Sequence, residues 1–209
     1  MDIESKIVRY NDLLSNDSLC VVGNYAAQQN YNAFKVFYNF LNKNKPKRIL
    51  EIGTGQGGLI NFINDCKIHL QLDTKIITCD INELPWYSIF VENGIDVRVE
   101  NIFNNEYSEV NSDIIEFIQQ DGLSLVLCDG GNKIKEFNLL SKFLKTNDII
   151  MAHDYAPNRE YFEKYMKYKI WNWMEIQDSD INYCCTRENL VPYCAEEFLS
   201  VAWVCKLKS

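Results

Sequence analysis

The 209-residue chain has no long apolar run, no excess of basic charge and no paired C-x-x-C spacing. The first absence excludes a bilayer-spanning helix, which needs about 20 consecutive apolar residues. The second argues against nucleic acid as the partner. Lys and Arg number 21 against 29 Asp and Glu, for a net charge of -8, whereas a phosphate backbone selects a basic face. The basic run from Lys43 to Arg48 breaks the trend locally and reads as the solvated approach to a strand. The third absence bears on the eight cysteines. Cys66, Cys79, Cys128 and Cys205 lie in or beside apolar segments, where a thiol behaves as a small hydrophobe. A structural zinc site is therefore not expected, and a reducing cytoplasm is the expected home. No internal repeat or low-complexity tract is present. Met1 to Tyr10 alternates charged with apolar residues, unlike a signal peptide.

What remains is 47% apolar and 24% charged, the make-up of one globular domain with a full core. The expectation is a single domain over residues 1–209, with an N-terminal helical segment over 1–45 ahead of an α/β core over 46–209.

The most informative stretch runs from Arg48 to Gly58, RILEIGTGQGG. It predicts a buried strand to Ile52, a glycine turn, and a helix from about Leu59. A tight strand-to-helix turn needs positive φ, which glycine adopts at little cost. Bare glycines also let a ligand approach the backbone N–H groups, and the helix N-terminus favours an anion. Gly53, Gly55 and Gly58 satisfy the dinucleotide fingerprint G-x-G-x-x-G. Gly53, Gly55 and Gly57, with Glu51 ahead of them, also give E-x-G-x-G-x-G. That second pattern resembles motif I of the class I S-adenosylmethionine-dependent methyltransferases.

Along the chain, residues 1 to about 22 read as a short helix and a connection, followed by a turn at Gly23-Asn24-Tyr25. Phe34, Phe37, Tyr38 and Leu41 recur at helical spacing within Gln28 to Asn42. Lys75 to Asp80 is a second strand ending on an acid, placed where a carboxylate can accept from ribose hydroxyls. Ile95 to Glu100 is a third strand, after which Asn101 and Ile102 would border an adenine pocket. A helix is expected from Tyr107 to Gln120. Leu123 to Cys128 reads as a central parallel strand buried on both faces. A helix over Lys135 to Leu144 and a strand over Asp148 to Ala152 complete the alternation that signals an α/β sheet. Arg159 to Trp173 reads as an aromatic-rich helix and Ile181 to Leu190 as irregular. Phe198 to Leu207 is expected to be a closing antiparallel strand. The whole is a Rossmann-like, doubly wound, mostly parallel sheet.

The strand ends deliver Glu51, Asp80, Asp129, His153 and Asp154 to one edge, where such sheets bind ligands. Three readings of Asp129, His153 and Asp154 stand. They form a divalent-metal set, Mg²⁺ or Mn²⁺ among the candidates; or the acids bind cofactor and substrate while His153 is a general base; or they are strand-end caps.

On these residues the chain resembles the family labelled cephalosporin hydroxylase, which also takes in rhamnosyl and macrolide-sugar O-methyltransferases. The resemblance spans about Gly23 to Tyr155. It rests on Gly23 with Gln28-Gln29-Asn30, on Lys45-Pro46, on Glu51-Ile52-Gly53-Thr54 with Gly57-Gly58, and on Asp129-Gly130-Gly131. It implies the class I methyltransferase fold and methyl transfer from S-adenosylmethionine to a hydroxyl of a sugar or other small polyol. Glu51, Gly53, Thr54, Gly55, Gly57, Asp80, Asn101, Ile102 and Asp129 are the expected cofactor residues. Asp129, His153 and Asp154 are the expected catalytic and metal residues. In that family a loop acid at the Asp129 position and a Glu-Asp pair after the next strand bind Mg²⁺, and a His three residues after the first acid is a proposed base. This chain has His153-Asp154 and Asn132 at those positions. The expected partner is a small-molecule acceptor, with no nucleic acid or membrane and with a homo-oligomer compatible. The alternatives are an NAD-dependent oxidoreductase and a catalytically inactive binding or scaffold domain.

Overall fold

The structure, a computed structural model, describes residues 20–22, 25–104 and 106–209. The helix expected in the first residues and the turn at Gly23-Asn24 lie outside the described part. What is described ahead of the core is not wholly helical. Strands β1 (Cys20–Val22) and β2 (Tyr25–Ala27) pair antiparallel, and helix α1 (Ala33–Asn44) follows.

The core sheet contains β3 (Arg48–Ile52), β4 (Lys75–Asp80), β5 (Asp96–Val99), β6 (Ser124–Cys128), β7 (Ile149–Ala152), β8 (Leu190–Pro192) and β9 (Val204–Lys208). Its order is β5-β4-β3-β6-β7-β9-β8. The first five strands run parallel, and β9 is antiparallel to both β7 and β8. From β3 the chain winds one way through β4 to β5, then returns to β6 on the other side. That reversal opens a crevice at the carboxyl ends of the strands. Register brings the crevice residues together. Ile52 pairs with both Cys79 and Cys128, and Cys128 pairs with Ala152. Gly53, Asp80, Asp129 and His153, each one residue further on, therefore leave the sheet at one level.

Alternate strand residues feed two cores. Ile49, Leu125 and Leu127 face the Phe34, Phe37, Phe62 and Trp203 side. Leu50, Val126 and Cys128 face the Ile114, Phe137 and Ile181 side. This two-sided burial is why β3 and β6 read as continuous apolar runs. Arg48 is not part of a solvated approach. It is buried at the foot of β3, where its guanidinium donates to Ser124 Oγ and to the carbonyls of Gln120, Asp121 and Gly122.

The helices around the sheet are α2 (Gly58–His69), α3 (Tyr87–Glu92), α4 (Ser112–Gln119), α5 (Lys133–Leu140), α6 (Arg159–Tyr161), α7 (Asp178–Arg187) and α8 (Ala195–Leu199). Four expectations are corrected. Helix α4 starts at Ser112 rather than Tyr107, because Asn104 Oδ1 accepts from the N–H of Ser108 and Glu109 and holds a turn there. The aromatic segment is helical only to Met166, its last five residues wound as a π turn with the Lys167 N–H on the Phe162 carbonyl; Trp171 and Trp173 lie beyond it. The stretch expected to be irregular is helix α7. It buries Ile181 and Cys184 at i,i+3 spacing, with Asp178 and Asp180 in the first turn and Arg187 in the last, charges that suit the helix dipole. Phe198 belongs to α8, and the closing strand starts at Val204. Among the described residues no helix is long and apolar enough to cross a membrane.

Candidate functional site

The glycine loop is held from below by a relay of hydroxyls. Thr54 donates to Thr78 Oγ1 (2.6 Å), and Thr78 donates to Glu51 Oε2 (2.5 Å). Burial pushes the Glu51 carboxyl well above the usual range, against the Thr78 hydrogen bond. Glu51 thus anchors the loop through β4. Gly53 is at φ +89°, and a Cβ there would lie 2.3 Å from the Asp129 carbonyl oxygen. Only glycine lets the β3 and β6 loops approach this closely. Gly58 lies against the hairpin instead, where a Cβ would come within 2.6 Å of the Ala26 carbonyl. Asp80 Oδ2 accepts from the Gly55 N–H (2.8 Å) and Oδ1 from the Asn82 N–H (3.0 Å). The acid therefore shapes the loop and caps the next turn, and spare lone pairs remain for a ligand.

The loop opens onto a cavity of about 740 Å³, which reaches from Asp80, Asn101 and Ile102 to Asp129, Asp154 and Trp173. Asn101 Oδ1 accepts from the Phe103 N–H (3.1 Å), which fixes the wall beside Ile102. A Cβ at Gly55 would meet no atom within 4 Å, so the loop leaves room for a ligand at its backbone.

The other end of the cavity is a buried polar cluster. Asp129 Oδ1 lies 3.1 Å from His153 Nδ1, and Asp129 Oδ2 accepts from Gln29 Nε2 at 2.8 Å. Gln29 is oriented by the Trp203 indole N–H on its Oε1 (2.8 Å). The His153 ring lies between Trp171 and Trp203 at 4.8 and 4.9 Å, and its Nε2 is buried without a partner. Asp154 is at φ +57°. Its Oδ1 accepts from the Trp171 indole (2.5 Å), and its Oδ2 pairs with Lys133 Nζ (2.9 Å). Burial raises the Asp129 carboxyl above its ordinary value despite His153 and Lys133. Burial opposes the ionised Asp154 too, but His153, Lys133 and Trp171 hold its carboxyl below the usual range. Burial disfavours protonated His153, yet the flanking carboxylates of Asp129 and Asp154 raise it above its ordinary value.

The loop Asp129-Gly130-Gly131 is pinned by Glu136, which accepts from the Gly130 N–H (3.2 Å) and the Asn132 N–H (2.9 Å). Burial pushes the Glu136 carboxyl up to about 7, against those two hydrogen bonds. Asn132 is the N-cap of α5, its Oδ1 accepting from the Lys135 N–H.

The ligand atoms of Asp129, His153 and Asp154 lie within 4.8 Å of one another, as a metal set requires. Part of their hydrogen-bonding capacity is already engaged. Gln29 and Trp171 occupy one oxygen of each acid. The Lys133 ammonium stands 2.9 Å from Asp154 and 3.8 Å from Asp129. A divalent ion between these acids would meet that ammonium, so the residues present do not fit one.

The expected site residues other than Gly57 line this one cavity; Gly57, at φ +82°, packs instead on Phe90, whose ring a Cβ would meet at 2.2 Å. Gln29, Lys133, Glu136, Trp171 and Trp203 were not singled out as functional from the sequence. Gln29 carried a signal in the Gln28-Gln29-Asn30 stretch; Lys133 carried one only in following Asp129 by a helical turn.

No protein-family model matches the chain. The curated phosphoethanolamine N-methyltransferase of Plasmodium falciparum is 24% identical over 174 residues, which cover 80% of this chain and 64% of that protein. The chain thus spans less than two thirds of that relative. Among solved structures, the apo form of CmcI is similar with a TM-score of 0.59 at 13% identity, over 85% of this chain and 71% of that one. A Mg–SAM form of CmcI gives 0.55 at 15%, over 84% and 70%. A candidate caffeoyl-CoA O-methyltransferase from Staphylococcus aureus gives 0.54 at 13%, over 100% and 93%. With the parallel sheet, its antiparallel β9 and the glycine loop at the switch point, these likenesses show that the chain has the class I methyltransferase fold.

Proposed function

We propose that this chain is an S-adenosylmethionine-dependent methyltransferase that methylates a hydroxyl of a sugar or another small hydroxylated acceptor. The observation that carries this reading is the shared cavity. One end is a glycine loop with open backbone and an acid at the next strand end; the other is a buried carboxylate–imidazole pair. Bound S-adenosylmethionine would supply a sulfonium-activated methyl group.

In this reading Gly53, Thr54 and Gly55 hold the methionine portion, with Gly57 packing the loop on Phe90 and Glu51 keeping it in shape. Asp80 accepts from the ribose hydroxyls, and Asn101 and Ile102 border the adenine. The chain's main contribution is alignment, which brings the acceptor oxygen into line for attack. An alcohol is a weak nucleophile at neutral pH and gains from a nearby base. Asp129 is the pocket-facing carboxylate, and its raised pKa suits it to take the acceptor proton. His153 orients Asp129 through Nδ1 and shares the proton. Asp154 holds His153 and the loop after β7. No step requires a metal. A cytoplasmic setting and a homo-oligomer are compatible with this reading.

Calorimetric titration with S-adenosylhomocysteine and with NAD tests it. S-adenosylhomocysteine should bind at one site per chain and NAD should not. Binding of NAD alone would replace the methyltransferase reading with an oxidoreductase, and binding of neither would leave a scaffold domain.

A further inference from the structure

A positive charge already sits among the acids that a metal would use. Lys133 opens helix α5, and its side chain is only 7% exposed. Its Nζ lies 2.9 Å from Asp154 Oδ2, 2.9 Å from Glu175 Oε2 and 3.1 Å from the Gly130 carbonyl oxygen. Asp129 Oδ1 is a fourth oxygen at 3.8 Å. An ammonium has three protons, and Asp154, Glu175 and Gly130 take all three. The remaining oxygens of the two aspartates are also engaged: Asp129 Oδ2 with Gln29, Asp129 Oδ1 with His153, and Asp154 Oδ1 with Trp171. Several oxygens converging on one positive centre is the shell a hard cation attracts.

We propose that Lys133 is the resident cation of this cluster. Its ammonium stands where a divalent metal would stand between Asp129 and Asp154. The unaltered protein therefore binds no Mg²⁺ or Mn²⁺ there, and loss of the Lys133 side chain converts the same groups into a divalent-metal site.

Charge and connectivity support this. Asp129, Asp154 and Glu175 bring three carboxylates to one ammonium, so removing the lysine leaves an acidic pocket with His153 as a nitrogen donor. Burial works against the charged lysine, but Asp129, Asp154 and Glu175 hold it ionised, above its ordinary pKa. The lysine also does what a bound ion does mechanically. Through Gly130 it ties the loop after β6 to Asp154 after β7, and through Glu175 to the segment beyond Trp171. The inference concerns the charge in the cluster and does not depend on methyl transfer.

The test is Mn²⁺ binding, read by electron paramagnetic resonance and calorimetry with no acceptor or cofactor present. The proteins are the unaltered chain, Lys133→Met, and Lys133→Met with Asp154→Asn. The unaltered chain should show no stoichiometric site at ~1 mM Mn²⁺. Lys133→Met should gain one site, at least about tenfold tighter than any residual binding, and the double variant should lose it. Circular dichroism checks folding; if Lys133→Met does not fold, Lys133→Gln, which keeps a polar contact for Asp154, is read in the same way. One Mn²⁺ bound by the unaltered chain and lost in Asp154→Asn would overturn the proposal. So would a folded lysine variant that binds no more Mn²⁺ than the unaltered chain. Because S-adenosylhomocysteine plays no part, failure here is distinct from failure of the methyltransferase reading.

Discussion

The two ends of the cavity are built on different principles. At the β3–β4 end the working groups are backbone, namely the N–H of Gly55, the bare glycines, and a loop pinned by Thr54, Thr78 and Glu51. Their positions follow from one short stretch and its neighbouring strand. At the β6–β7 end the working groups are side chains drawn from across the chain. Gln29 reaches Asp129 over 100 residues, Trp203 reaches Gln29 over 174, and Trp171 reaches Asp154 over 17. The first end is fixed by what cannot be there, a Cβ. The second is fixed by a charge balance among buried groups, which holds only when every member is present.

This division is broken most severely by adding one atom at the seam. Gly53→Ala would bring a methyl within 2.3 Å of the Asp129 carbonyl oxygen at a φ of +89°. Backbone cannot yield as a flexible side chain does, so the expected loss is about 3 kcal/mol or more. Urea unfolding measures it, and an unchanged midpoint would mean the two loops are not in contact. The next effect separates the ends. Asp80→Ala removes the acceptor for the Gly55 and Asn82 N–H groups and should weaken S-adenosylhomocysteine about 10- to 100-fold, at a cost of only about 1 kcal/mol in stability. Asp129→Asn should lower turnover at least about 100-fold while affinity for S-adenosylhomocysteine stays within a few-fold. Its new NH₂ group must face either Gln29 or His153, so stability should also fall by about 1–3 kcal/mol. If Asp80→Ala instead stops turnover with affinity intact, the roles assigned to the two ends are exchanged.

The same contrast explains what could be read in the sequence. Strand β3, the glycine turn and Asp80 declare themselves locally, since positive φ and apolar runs leave a residue-type signature. The parallel alternation gave the fold, and register then carried Asp129 and His153 to the same edge. The cation did not declare itself. Lys133 reads as an ordinary helix-start lysine until Glu175, 42 residues away, and Asp154 are seen around it. The order of the aromatic segment was also hidden. Tyr161, Phe162 and Tyr165 carry helical spacing, but the π turn over Phe162–Met166 ends the helix before Trp171. Trp171 is thereby free to donate to Asp154. Helix α7 was missed because its exterior is polar and only Ile181 and Cys184 mark its buried face.

The smallest predicted effect concerns Asn132, and it decides whether the acidic end has a second proton acceptor. Asn132 occupies the position where the resembling family has a histidine, so a catalytic role is the natural first thought. An amide does not titrate near neutral pH, and here its oxygen is spent on the Lys135 N–H as the cap of α5. Its own N–H goes to Glu136, a backbone contact that any residue keeps. Replacing it with alanine should therefore cost about 1 kcal/mol of stability, and Asn132→Asp should cost less, because aspartate caps equally well. Turnover should follow stability in both and stay within a few-fold. A hundredfold loss in folded Asn132→Ala would show that this amide touches the acceptor, and the proton would then have a route besides Asp129 and His153. Equal turnover in the alanine and aspartate variants would leave the buried pair as the only acceptor among these groups, with Asn132 acting solely on where α5, and hence Lys133, begins.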